Sequence, residues 1–340
     1  MTEGTAVQSP AADPAAGRRG RRTADVPALV AGARDGDARS VARLISLVED
    51  ASPKLREVAA ALSPHTGHAQ VIGLTGSPGV GKSTTTTALV RAFREAGRRV
   101  GVLAVDPSSP FSGGALLGDR VRMQDHAGDS GVYIRSMASR GHLGGLAWAT
   151  PQALRVLDAA GCDVVLIETV GVGQSELEIA SLADTTLVLI APGMGDGIQA
   201  AKAGILEVAD LFVVNKADRD GADQTVRDLR YMQSLGGRHS EPGHWRPPIC
   251  RTVASREVDN GIDAVVGKIE EHRGWLESSG EGNRRREERA AREIEAIALA
   301  SLRERMGDVH GSRALGSLAG SVVAGETDPF RAADELLAQL

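Results

Sequence analysis

The chain has 340 residues, enough for one large α/β domain with extensions. Its formal charge of −5 excludes a basic nucleic-acid-binding domain, which needs clustered Lys and Arg against the phosphates. No apolar run approaches the roughly 20 residues of a membrane-spanning helix, and the two cysteines, Cys162 and Cys250, lack metal-ligand spacing and fit a reducing, cytoplasmic compartment.

Residues 1–23 are rich in Ala, Pro, Gly and Arg and read as a disordered tail. The Arg pairs in Gly17–Arg22 hint at a twin-arginine export signal. Charges stand where the apolar core of such a signal belongs, so export is rejected; an organelle transit peptide is the alternative. From Val26 to about Leu62 the apolar spacing is helical, which makes 24–66 an N-terminal helical region.

Strands and helices alternate over 67–277. The predicted strands are QVIGLTG, RRVGVLAVD, GVYIRS, CDVVLIE, TTLVLIA, LFVVN and ICRTV, with helices at Lys82–Ala96 and around Leu154. Near-continuous Val, Ile and Leu runs of this kind predict an α/β fold with a mostly parallel sheet covered on both faces. Ligands of such a sheet bind beyond the carboxyl ends of its strands. Beyond Trp275 the chain turns charged and helical, with Ile294, Ile297, Ala298 and Leu302 along one side, and DPFRAADELLAQL closes it as a short amphipathic helix. Two readings stand for 278–340: a helix packed on its own domain, or an arm that grips a second subunit.

The chemistry gathers at strand ends. GSPGVGKST, Gly76–Thr84, fits the phosphate-loop pattern between a strand and a helix: Gly76, Ser77, Pro78, Gly79, Val80, Gly81, Lys82, Ser83 and Thr84. Its glycines let backbone N–H groups face phosphate oxygens, Lys82 reaches the terminal phosphates and Ser83 ligates magnesium. The chain carries Lys only at 54, 82, 202, 216 and 268, and one of these five falls where the chemistry demands it. NKAD, Asn215–Asp218, follows the strand LFVV. A carboxylate at Asp218 accepts from N1–H and the exocyclic amine of guanine; adenine offers no such pair. Lys216 lies along the base with its stem, and the TVAS loop, with Val253, Ala254 and Ser255, contacts the guanine oxygen through backbone N–H groups.

Glu168 ends a central strand in DVVLIETVGVGQSE, a place where nucleotide enzymes hold magnesium, usually through water. Asp106 ends the neighbouring strand and Asp119 lies in the glycine-flanked segment GGALLGDRVRM; both are further magnesium or catalytic candidates. Gly171 is placed to bond the γ-phosphate and register its loss. Val172 follows Gly171 and cannot orient a water, and Gln174 is the nearest amide. A slow intrinsic GTPase completed by a partner is expected.

The segments GSPGVGKSTTT, AVDPSSPFSGGALLGDRVRM, YIRSMASRGHLGGLA, ETVGVGQSE, APGMGDGIQAAKAGILEVADLFVVNKAD and DPFRAADELL resemble those of the MeaB/MMAA family of P-loop GTPases, also called ArgK or LAO/AO transport ATPases. The resemblance implies a SIMIBI-type G domain with helical extensions, dimerised by its C-terminal arm. It matches Lys82, Asp106, Asp119 and Glu168 to the family's GTPase residues and makes Gly193–Lys202 a third switch-like loop. One departure is Thr252-Val253-Ala254, where the family tends to Thr-Ser-Ala; backbone contacts survive it. The resemblance implies magnesium and GTP or GDP as ligands. It also implies an adenosylcobalamin-dependent acyl-CoA mutase as partner, most often methylmalonyl-CoA mutase, with a cobalamin adenosyltransferase as a further one. His142 reads as a switch-loop residue rather than a cobalamin ligand.

Three rival functions use the same motifs. A nickel-insertion GTPase usually shows His-rich or Cys-containing motifs, against eight scattered His and two isolated Cys here. A transport-associated ATPase or kinase conflicts with NKAD. A non-catalytic GTP sensor would bind without turnover.

Overall fold

Seven strands of the computed structural model form one sheet, every neighbouring pair parallel: β1 (Gln70–Thr75), β2 (Val100–Pro107), β3 (Val132–Ser139), β4 (Val164–Thr169), β5 (Thr185–Ile190), β6 (Leu211–Val214) and β7 (Ile249–Arg251). Their order is β3-β2-β4-β1-β5-β6-β7. The structure describes residues 25–107, 126, 128–139, 149–169, 175–193, 208–235, 243–306 and 313–338. The tail 1–23, Asp119, His142, Gly171, Val172, Gln174 and nearly all of Gly193–Lys202 lie outside the described residues, as does the side chain of Asp106.

The expected parallel α/β architecture is the one observed, and period-two alternation explains its layers. Ile72 and Leu74, Val164 and Leu166, Leu187 and Leu189, and Leu211 and Val213 point to one face. There they meet Leu89, Val90 and Phe93 of α4 (Lys82–Glu95) and Ile262, Val265 and Ile269 of Ile262–Ser279. On the other face, three N-terminal helices, α1 (Val26–Arg34), α2 (Ala38–Glu49) and α3 (Leu55–Leu62), pack against β3 and α5 (Thr150–Ala159). Leu44, Ile45, Val48 and Leu62 of these helices join Tyr133, Met137, Val156 and Leu157 in one continuous core. Arg135 on β3 pairs with Glu49, and the Tyr133 hydroxyl donates to Gly36 O at 3.2 Å, fastening the helical layer to the sheet edge. Beyond that layer, α6 (Ser175–Leu182) packs by Ile179 on Val105 and Ile167, and α7 (Ala222–Leu235) covers Phe212 and Val214.

At the amino ends of the strands two buried carboxylates do double service. Asp184 accepts the Val71 N–H at 2.9 Å and Asp210 the Thr186 N–H at 2.8 Å, filling backbone donors that the strand starts leave open. Both also receive arginines from α9 (Glu281–Met306), which follows α8 (Ile262–Ser279). Arg285 contacts Asp210 through both terminal nitrogens at 3.1 Å, and Arg289 reaches Asp184 at 2.6 Å. One turn further Glu293 takes both Arg155 nitrogens at 2.5 Å. Residues 285, 289 and 293 share one helix stripe, so the first half of this helix is clamped to its own domain. The opposite side leaves Ile294 67% and Leu302 54% exposed. Two shorter helices, α10 (Arg313–Val323) and α11 (Pro329–Ala338), pack on each other beyond it.

His272 is buried beside this clamp, with Nδ1 2.9 Å from the Thr185 hydroxyl and Nε2 3.3 Å from Asp210. Asp210 favours the imidazolium, but its charge is already shared with Arg285. Burial, followed by the repulsion of Arg285, pushes the imidazole down to about 3, so it is neutral at pH 7. Because the unfolded chain takes up this proton near pH 6.5 and the folded chain does not, stability is full above that pH. It falls as the pH drops towards 3. Thermal melts from pH 7 to 4 are expected to lose up to about 1.4 kcal/mol per pH unit from this residue. His272→Gln is expected to flatten that part of the profile.

Candidate nucleotide site

β1 ends at Thr75, and the Gly76–Thr84 loop turns there into α4. Two glycines are required by the geometry. Gly76 has φ +140 and Gly81 φ +100, in the region that side chains rarely adopt. A Cβ at Gly76 would collide with the Leu189 carbonyl, and one at Gly81 with the Asn215 carboxamide. With Gly81 as cap and no side chain bonding the first turn, the open N–H groups of α4 face the loop, a ready anion site. Lys82 is only 8% exposed, and its Nζ donates to Gly76 O at 2.6 Å and Ser77 O at 3.2 Å. The ammonium therefore sits inside the curl of the loop.

Glu168 continues the Val164–Leu166 alternation onto the face covered by α4 and is 3% exposed. Its level on β4 matches Leu74 of β1 and Ala104 of β2, so it stands beside the loop's point of departure. Its Oε2 accepts from Thr86 Oγ1 at 2.5 Å. Asp106 occupies the carboxyl end of β2, the strand next to β4. Ser83 and Glu168 supply hard oxygen donors, which suits magnesium: it takes one or two protein oxygens and fills its octahedron with phosphates and water. Among the described residues no group of three or more His, Cys, Asp or Glu gathers to hold a metal by itself. Both cysteines are buried, and burial pushes the Cys162 thiol up to about 12.

Asn215 follows β6 and is 3% exposed. Its Nδ2 donates to Val80 O of the phosphate loop at 2.8 Å, while its Oδ1 accepts from Thr252 Oγ1 and Ala254 N, both at 3.1 Å. Lys216 sends Nζ to Gly79 O at 2.6 Å, so its stem runs from the β6 end to the phosphate loop. Asp218 is exposed and lies 3.6 Å from the Arg256 guanidinium. The Val253 N–H donates to Asn260 O at 2.9 Å and the Ala254 N–H to Asn215, so these two donors of the TVAS loop already have acceptors within the protein; Ser255 is exposed. The Gly76–Thr84 loop, Glu168, NKAD and the TVAS loop thus lie along one edge of the sheet, from β4 and β1 to β6 and β7.

This arrangement matches known proteins along most of the chain. Residues 41–309 fit the family model described as methylmalonyl-CoA mutase-associated GTPase MeaB. The chain belongs to the MeaB family. It is a P-loop GTPase that binds GTP and GDP. A Pyrococcus abyssi protein named "Putative GTPase" is 46% identical, over 92% of this chain and 96% of its own. The mouse methylmalonic aciduria type A homolog, a mitochondrial protein, is 35% identical over 81% of this chain and 69% of its own. The crystal structure of a LAO/AO transport system kinase aligns with TM-score 0.70 and 25% identity, over 92% of this chain and 96% of that one.

Within this MeaB-family chain, three polar contacts near the site escape a motif reading. Thr86 touches Glu168, Thr252 orients Asn215, and Arg256 accompanies Asp218. Thr86 stands one helical turn after Lys82, a spacing that by itself signals nothing about a contact with another strand. Asn215→Ala is expected to remove three buried hydrogen bonds. At about 1 kcal/mol each, the folded protein should lose about 3 kcal/mol even without nucleotide. GDP affinity should fall at least about tenfold. Melts and GDP titration of the same preparation check both.

Proposed function

We propose that this GTPase is the chaperone of an adenosylcobalamin-dependent acyl-CoA mutase, most specifically methylmalonyl-CoA mutase. GTP binding and hydrolysis gate cofactor loading and protect or reactivate the mutase. The family match over residues 41–309 carries this reading, and the name of the mouse relative points to the same metabolism.

In the proposed site Gly76 to Thr84 wrap the phosphates, Lys82 neutralises the terminal ones, and the Gly171 N–H registers the γ-phosphate. Ser83 and Glu168 hold magnesium with Asp106 and Asp119, in part through water. Bound magnesium neutralises charge developing on the phosphate oxygens. Asp218 selects guanine, with Asn215, Lys216, Val253, Ala254 and Ser255 forming the rest of the base pocket. Because Val253 and Ala254 already donate within the protein, a guanine oxygen would share or replace those bonds. With Val172 beside Gly171, the attacking water lacks a side chain from that position, and turnover waits on a partner.

The proposed organisation is a tail (1–23), a helical region (24–66), a G domain (67–277) and a helical arm (278–340). The exposed Ile294 and Leu302 side of the arm supports homodimerisation. A cobalamin adenosyltransferase is a further proposed partner. No helix among the described residues is long and apolar enough to cross a membrane, and the proposed compartment is the cytoplasm. The buried cysteines speak against a nickel-insertion role.

GTP turnover measured alone and with the mutase of the same genome tests the reading. Stimulation is expected, by up to the roughly 10³- to 10⁵-fold that completion of the site by a partner gives phosphoryl transfer. A flat rate beside a bound mutase would favour a GTP sensor and overturn the chaperone role. Asp218→Asn should cost GTP at least about 100-fold in kcat/KM, since the amide cannot accept both guanine donors. Xanthosine triphosphate, whose base presents the complementary pattern, should gain. Unchanged GTP preference would remove Asp218 from the base site.

A further inference from the structure

Helix α4 begins with Lys82 and Ser83 and continues with four consecutive threonines, Thr84 to Thr87. Such a run is a poor choice for helix propensity, because β-branched hydroxyl residues lose side-chain freedom and compete for backbone bonds. Three of the four bond back along the helix in the same way. Thr85 Oγ1 lies 2.9 Å from Gly81 O, Thr86 Oγ1 3.1 Å from Lys82 O, and Thr87 Oγ1 3.0 Å from Ser83 O. Among the described residues, Thr86 alone of these three also reaches off the helix, to Glu168 Oε2 at 2.5 Å.

A hydroxyl carries one proton, and Thr86 has two acceptors for it. The contact to Glu168 is the shorter by 0.6 Å, the difference between 3.1 and 2.5 Å. The Thr86 hydroxyl therefore donates to Glu168 rather than to Lys82 O. Both residues are buried, Thr86 at 0% and Glu168 at 3% exposure, so water does not substitute for the lost donor.

We infer that Thr86 is a positioning residue for the magnesium site. It fixes one carboxylate oxygen of Glu168 and ties the end of β4 to the first turn of α4, the turn that carries Lys82 and Ser83. The carboxylate then meets the ion side of the loop in one orientation rather than several, which is the usual work of groups behind a metal-facing residue. The inference rests on the reading of Glu168 as a magnesium residue.

The test uses the full chain with Thr86→Val, which keeps the shape and removes the hydroxyl, and Thr86→Ser, which restores it. Thr87→Val is the control, since it deletes an equivalent back-bond on the same helix without touching Glu168. A fluorescent GDP analogue titrated at rising magnesium reads the coupling without turnover. Thr86→Val should raise the magnesium concentration for half-maximal tight binding about tenfold, with Thr86→Ser and Thr87→Val near the parent. In GTP turnover the loss should fall on kcat, with KM within about threefold. Thr86→Ala supplies the same comparison where the valine chain does not fold. Equal magnesium dependence for Thr86→Val and Thr87→Val overturns the inference. Glu168→Gln separates the two layers. If it shifts the magnesium dependence and Thr86→Val does not, only the positioning role fails. If Glu168→Gln is also silent, the reading of Glu168 fails with it.

Discussion

The nucleotide edge of this protein depends on one buried carboxamide. Asn215 joins the phosphate loop through Val80 and the last loop through Thr252 and Ala254, three segments from distant parts of the chain. Gly81 must be a glycine for the same reason, since a side chain there would displace that carboxamide. The Gly76–Thr84 loop, the NKAD segment and the TVAS loop are therefore mechanically one unit. A buried amide left short of partners costs enough that the three loops hold together as a set.

The other edge of the sheet has its own constraint. Parallel strands start with unpaired N–H groups, and Asp184 and Asp210 fill them while presenting charge to Arg289 and Arg285. The arm helix is therefore locked to β1, β5 and β6 at their amino ends, opposite the nucleotide. β6 is only four residues long, with Asp210, the anchor for Arg285 of the arm, immediately before it and Asn215 immediately after. His272 stays neutral within this cluster because its environment is buried and already supplied with the arginine charge. The exposed Ile294 and Leu302 lie past the lock, so the helix is fastened at one end and apolar on its free side.

The match to the MeaB family takes in most of the chain, residues 41–309. The chemistry at the phosphate loop is common to nucleotide hydrolases in general. At this site the threonine-rich first turns of α4 also make a contact with Glu168. A hydroxyl from the helix that begins the phosphate site reaches the acidic end of a separate strand.

Sequence alone determined the parallel α/β fold, because its strands are continuous apolar runs that must be buried on both faces. It also determined the phosphate loop and the NKAD segment, where function demands particular residues at fixed local spacing. Lys82 and Gly81 are legible for that reason. Tertiary structure decided which polar groups meet. Thr86 and Glu168 are 82 positions apart, and Asn215 and Val80 are 135 apart. Both pairings follow from the order β4-β1-β5-β6, which no local pattern encodes. The arm shows the same division. Its helical period was plain, but the partners of Arg285, Arg289 and Glu293 lie on three other elements, so a charged stripe became a clamp only when the strand ends came together.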